Sequence, residues 1–210
     1  MRRAMGLCAV AAILLAASCS KSTPSETVPN KEPAAAPAVA APTTAQVGDV
    51  SGTAAANAIV VLEPKTPREF PAGDPPAMDQ VSATFTPDLL FVRTGQPVEF
   101  RNSDDTLHNV HVGNVDTKEP SFNVAIPTGE KYVYTFQKDG FYHVGCDIHP
   151  AMSAEVFAAA TPFVMRAGPD GSFSFADVPA GFYVLRAQAG AEKQQRDVEV
   201  KAGANALPPF

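Results

Sequence analysis

Twenty prolines and fourteen glycines interrupt the apolar segments of this chain at short intervals. A backbone punctuated that often favours short strands joined by turns over long helices. The 210 residues leave room for one or two domains with cores of ordinary size. Sixteen Lys and Arg stand against 22 Asp and Glu, a formal charge of −6, and there is no Trp. Without clustered basic residues there is no footprint for gripping a phosphate backbone, so nucleic acid is excluded as a partner. Four His and three Cys are too few for a cluster needing many imidazoles, so any metal site here is small.

Arg2 and Arg3 precede an apolar run from Met5 to Ala17, the length of a signal h-region and short for a bilayer span. The run ends Leu14-Leu15-Ala16-Ala17-Ser18-Cys19, which resembles the bacterial lipobox. It departs from that motif in having Ala16 three residues before the Cys, with Leu15 one position further back. The resemblance implies a signal peptide over residues 1–18, lipid attachment at Cys19 and a periplasmic, membrane-anchored lipoprotein, with Ser20 favouring the outer membrane. Ala16 and Ser18 also suit ordinary secretory cleavage to a soluble exported protein. Residues 19–46, rich in Ala and Pro and free of aromatics, read as a disordered tether. Extended at roughly 3 Å per residue, it reaches about 80 Å.

Cys8 falls in the signal segment and Cys19 at its end, which leaves Cys146 without a disulfide partner in an exported protein. Its surroundings read Cys146-Asp147-Ile148-His149-Pro150-Ala151-Met152. Thiolate, imidazole and thioether at C-x2-H-x2-M spacing lie in one seven-residue loop, where a tight turn can aim all three at one point. Soft sulfur with imidazole selects copper over magnesium, calcium or manganese, and the weak thioether argues against zinc. A second imidazole has three sources. Alternation in Phe141-Tyr142-His143-Val144-Gly145-Cys146 puts His143 on the face opposite Cys146. His108 and His111 are separated by an odd step, so without a bulge only one of them faces the metal, and spacing does not choose between them.

The stretch from Phe85 to about Phe157 resembles a cupredoxin, the blue-copper family of plastocyanin, amicyanin and pseudoazurin. Phe85-Thr86-Pro87 and Val92 to Phe100 match the paired strands that open those domains, Asn102 with His108-Asn109-Val110 the segment of their first His ligand, and Gly140-Phe141-Tyr142 the strand into the ligand loop. The short loop is nearest to amicyanin. The resemblance implies one type 1 copper ion held by His108, Cys146, His149 and Met152, with Asn109 hydrogen-bonding near the thiolate. It gives His111 and His143 no required role.

Further on, Asp170 to Ala187 alternates apolar and small polar residues between Gly and Pro turns, a β-meander, and Gln195 to Lys201 adds another strand. The pattern G-x-F-x-F-x-x-V-P-x-G-x-Y-x-L is similar to the carboxypeptidase regulatory-like, transthyretin-like sandwich. That family's opening strands are visible far upstream, at Val50 to Thr53 and Asn57 to Glu63. The expected fold is therefore all-β: a Greek-key cupredoxin sandwich over 67–159, inserted into a second small sandwich split between 47–66 and 160–210. Alternatively, 47–66 adds an edge strand to the cupredoxin.

Together these readings imply a tethered periplasmic carrier of single electrons. Its donor and acceptor would be redox proteins, steered by a basic docking face toward a chain of net negative charge. Four ligands occupy the positions a substrate would need, so no enzymatic activity is expected. The alternative is a copper-trafficking or storage protein using the same ligands without redox turnover.

Overall fold

Alternating apolar and polar residues, broken by the Gly and Pro turns, produce sixteen strands and, among the described residues, no helix. The structure is a computed structural model that describes residues 46–71 and 73–210. The expected signal segment 1–18, the lipid site Cys19 and the tether as far as Ala45 lie outside the described residues. The strands are β1 (Val47–Thr53), β2 (Ile59–Pro64), β3 (Ala77–Val81), β4 (Thr84–Thr86), β5 (Leu89–Arg93), β6 (Pro97–Asn102), β7 (His108–Asn114) and β8 (Pro120–Ile126). They continue with β9 (Lys131–Thr135), β10 (Gly140–Gly145), β11 (Ser153–Ala159), β12 (Val164–Arg166), β13 (Ser172–Pro179), β14 (Gly181–Ala189), β15 (Glu192–Val200) and β16 (Gly203–Ala206). The all-β class expected from the sequence is the class observed.

Strands β3 to β11 form two sheets around one core. A five-stranded sheet has the order β5-β11-β10-β7-β8, and a four-stranded sheet the order β4-β3-β6-β9. Within them β5 runs parallel to β11 and β3 parallel to β6, while the other pairs are antiparallel. Phe85, Phe100, Val110, Phe136, Tyr142 and Val144 fill the space between the sheets. Phe100 and Phe136 are fully buried, and edge-on ring contacts such as Phe100 with Phe122, 5.3 Å between centroids, tie the layers together.

The remaining strands build a second core from both ends of the described chain. β1 lies antiparallel to β13 and parallel to β16, and β2 sits between β12 and β14, with β15 outside β14. Val50, Leu62, Phe173, Phe175, Tyr183 and Leu185 pack between these two sheets. The chain leaves this core after Pro64, builds the larger sandwich from Ala77 to Ala159, and returns at β12. The junction is fastened by Leu62 N–H donating to the Phe163 carbonyl at 2.9 Å and Thr161 Oγ1 donating to the Leu62 carbonyl at 3.0 Å. A cleft of about 240 Å³ lies between the sandwiches, lined by Phe141 and Phe157 of β10 and β11 and by Ile59 and Val61 of β2.

Two substitutions in the second core separate packing from hydrogen bonding. Leu62→Ala opens a fully buried cavity and is expected to cost about 2–5 kcal/mol. Tyr183→Phe removes a hydroxyl that donates to the Pro179 carbonyl at 2.6 Å, a loss of about 1 kcal/mol. Urea unfolding curves check both values and their order.

Candidate metal centre

His108 opens β7, and the inward alternation His108, Val110, Val112 places its ring among core side chains, fully buried. His111 takes the opposite parity and is exposed, as is His143 on β10. The choice the spacing leaves open thus falls to His108. β10 pairs antiparallel with β7 up to Gly145↔His111, which brings the next residue, Cys146, beside the start of β7. Cys146 is 4 % exposed. The loop that follows is closed by Met152 N–H donating to the His149 carbonyl at 2.9 Å and Cys146 N–H donating to the Met152 carbonyl at 3.4 Å. This turn swings the half-buried His149 back over the thiol and leaves Met152 buried in the same core.

Three donor atoms converge there. Cys146 Sγ lies 3.9 Å from His108 Nδ1 and 3.8 Å from His149 Nδ1, and the two Nδ1 atoms are 2.9 Å apart. Bonds of about 2.3 Å to sulfur and 2.0 Å to nitrogen in a trigonal plane put such donors about 3.7 Å (S to N) and 3.5 Å (N to N) apart. The two sulfur edges match this, and the imidazole edge is tighter by about half an ångström. One thiolate with two imidazoles is a donor set suited to copper. Among the described residues this is the one group of three His, Cys or carboxylate side chains whose ligand atoms all lie within 4.8 Å of one another.

Hydrogen bonds orient each donor. His108 Nε2–H donates to Asp104 Oδ2 at 2.8 Å, which fixes the proton on Nε2 and leaves the Nδ1 lone pair facing Cys146. The same carboxylate accepts from the backbone N–H groups of Ala83, at 2.8 Å, and Ser82, two residues in the left-handed region that make the tight turn from β3 to β4. The Ala83 N–H, then the His108 ring and the Ser82 N–H, hold the Asp104 carboxyl below the usual carboxylate range against its partial desolvation. Asp104 is a functional residue that the sequence reading missed. Its signal, an acidic residue four before His108, is shared by neighbouring candidates.

Asn109 serves the sulfur. Its Oδ1 lies 3.3 Å from Cys146 Sγ and accepts from the N–H groups of Asp147 at 2.7 Å and Ile148 at 3.3 Å. Its amide nitrogen donates to Asn123 Oδ1 and Asp147 Oδ2. Asn109 therefore pins the first turn of the ligand loop to β7 and places a polar oxygen beside the sulfur.

Replacing Asp104 by Asn leaves an amide that cannot accept from the turn and from His108 through both of its atoms. A drop in copper affinity of about 10- to 100-fold is expected, as for other partners that orient metal-bound imidazoles. Competition against a chelator of known affinity measures it.

Comparison with known proteins gives the segment around this site a family likeness. Residues 77–158 match the model of the copper binding proteins of the plastocyanin/azurin family. No curated protein matches the chain. Among solved structures the chain is similar to the reduced Cu(I) form of a P52G mutant of amicyanin, at 21% identity over 48% of this chain and 98% of that one, with a TM-score of 0.38. It is also similar to a purple cupredoxin from Nitrosopumilus maritimus, at 21% identity over 40% of this chain and 99% of that one, with a TM-score of 0.36. A third neighbour is the copper-containing nitrite reductase of Thermus scotoductus SA-01, at 29% identity over 45% of this chain and 24% of that one, with a TM-score of 0.38. This neighbour corrects the expectation that the protein is not an enzyme. It is itself a copper-containing nitrite reductase. The match of residues 77–158 to the family model and the Cys146, His108 and His149 donors of this chain together support a copper-binding cupredoxin domain of the plastocyanin/azurin type over that stretch.

Proposed function

We propose that the protein carries single electrons between redox partners through one type 1 copper ion held by His108, Cys146, His149 and Met152. The observation that carries this reading is the convergence of one buried thiol and two imidazole Nδ1 atoms within 4 Å. Copper bound there supplies one-electron exchange between Cu(II) and Cu(I). The chain's part is to hold the donors still: Asp104 keeps His108 in one tautomer, Asn109 holds the loop against β7, and the buried sheet positions exclude water from the sulfur. Met152, buried at the loop's end, provides a weak thioether that tunes the potential.

The half-buried His149 gives the electron its way out. Leu107, Ile148, Pro150 and Ala151, within two residues of the two imidazole ligands, are exposed. Such an apolar surface suits brief docking of a redox protein. The net charge of −6 favours a partner with a basic face. The Arg2-Arg3 start, the apolar run and Cys19 support export to the periplasm and lipid anchoring at a membrane. The β-sandwich formed by residues 47–66 and 160–210, similar in motif to carboxypeptidase regulatory-like modules, serves as a scaffold that grips the copper domain at two points.

Optical and electron-spin-resonance spectra of the copper-loaded protein test the carrier reading. An intense visible charge-transfer band, reversibly bleached by reductant and absent in Cys146→Ser, is expected. A colourless protein that surrenders its metal readily would instead be a copper-holding protein, and a band persisting in Cys146→Ser would overturn the ligand set. For the anchor, Cys19→Ala is expected to move the protein from the membrane to the soluble fraction of cells expressing it. Unchanged membrane association would rule out lipid attachment at that residue.

A further inference from the structure

The two imidazoles left over by the copper centre stand on the outer face of the five-stranded sheet. His111 on β7 pairs across the strands with Gly145, and His143 on β10 pairs with Gly113, so the cross-strand partner of each has no side chain. The vacated space forms part of an open groove of about 880 Å³. His143 leans into it: its Nε2 lies 3.3 Å from where a Cβ on Gly145 would stand, above the residue paired with His111. On the other side of β10, Glu155 of β11 is the direct cross-strand partner of His143, with Cβ atoms about 5 Å apart in such pairs. No side-chain hydrogen bond engages His143 or Glu155 among the described residues, and Lys118 is the one cationic side chain on the groove.

His111 is already oriented. Its Nδ1–H donates to Asp147 Oδ1 at 3.0 Å. Asp147 Oδ2 is held in turn by Asn123 Nδ2 at 2.8 Å and Asn109 Nδ2 at 3.1 Å. A carboxylate that fixes one ring nitrogen leaves the other, His111 Nε2, with an available lone pair, the arrangement that supports metal-bound imidazoles. We propose that this face carries a second metal site, with His111, His143 and Glu155 as ligands and Asp147 as the residue that positions His111. Two imidazoles and a carboxylate suit a divalent borderline cation, Zn²⁺ or Cu²⁺, with water completing the sphere. The ligand atoms are less tightly gathered than at Cys146. All three side chains are exposed, so their torsions are free to turn toward a common ion.

None of these residues is a copper ligand, so the site stands independently of the carrier reading and is read by metal counting instead of colour or redox activity. The full chain, loaded with copper and dialysed against Zn²⁺, is expected to retain one zinc ion. Either His111→Gln or His143→Gln weakens zinc binding in calorimetric titration by about tenfold or more, and Asp147→Asn weakens it less than either. These exposed positions make the variants safe for the fold. Absence of zinc beyond the copper, or zinc uptake unchanged in both His variants, would overturn the proposal.

Discussion

The antiparallel register of β7 against β10 is the constraint on which the copper centre depends. Pairing Gly145 with His111 sets Cys146 one step past the end of β10, beside the inward-facing start of β7. Strand side chains alternate with a period of two, so a slip of one residue would turn His108 to solvent and bring the outward face of β7 to the sulfur. The register is enforced by the core beneath it. Val110 and Val112 on β7 and Tyr142 and Val144 on β10 are all buried between the sheets, and none could be turned outward without exposing apolar surface.

Hydrogen bonds refine what the register makes possible. Two residues that flank His108 in the sequence serve the donors, Asp104 on the far nitrogen of His108 and Asn109 on the sulfur and loop backbone. Each also has a structural duty, since Asp104 fastens the turn at Ser82 and Ala83 and Asn109 fastens the turn after Cys146. Donor geometry and loop geometry are therefore held by the same atoms. A half-buried carboxylate or a buried amide satisfied on several sides is hard to displace, and this stiffness is what a metal site undergoing a change of charge requires.

Legibility in the sequence followed the range of the interactions. The gathering of Cys146 with His149 could be read from their spacing in one short loop. The all-β class could be read from Gly and Pro punctuation and alternation. The choice between His108 and His111 could not, because alternation gives opposite faces without saying which face is inside; partners on β8 and β10 decide that. Asp104 was illegible for a similar reason. It stands beside Asp105, and what distinguishes the two is a turn more than twenty residues earlier. The parallel pairing of β1 with β16 joins segments about 150 residues apart, beyond any local pattern.

That last pairing governs how the molecule would bear a pull. Residue Val47 enters through β1, clamped between β13 and β16, and Phe210 hydrogen-bonds back to Thr53 at the other end of the same strand. Tension applied at the two ends of the described chain would be borne first by the smaller sandwich, across strands sheared lengthwise. The loop of chain from Lys65 to Pro162, with the copper ligands in it, would hang outside the line of force until that sandwich gave way.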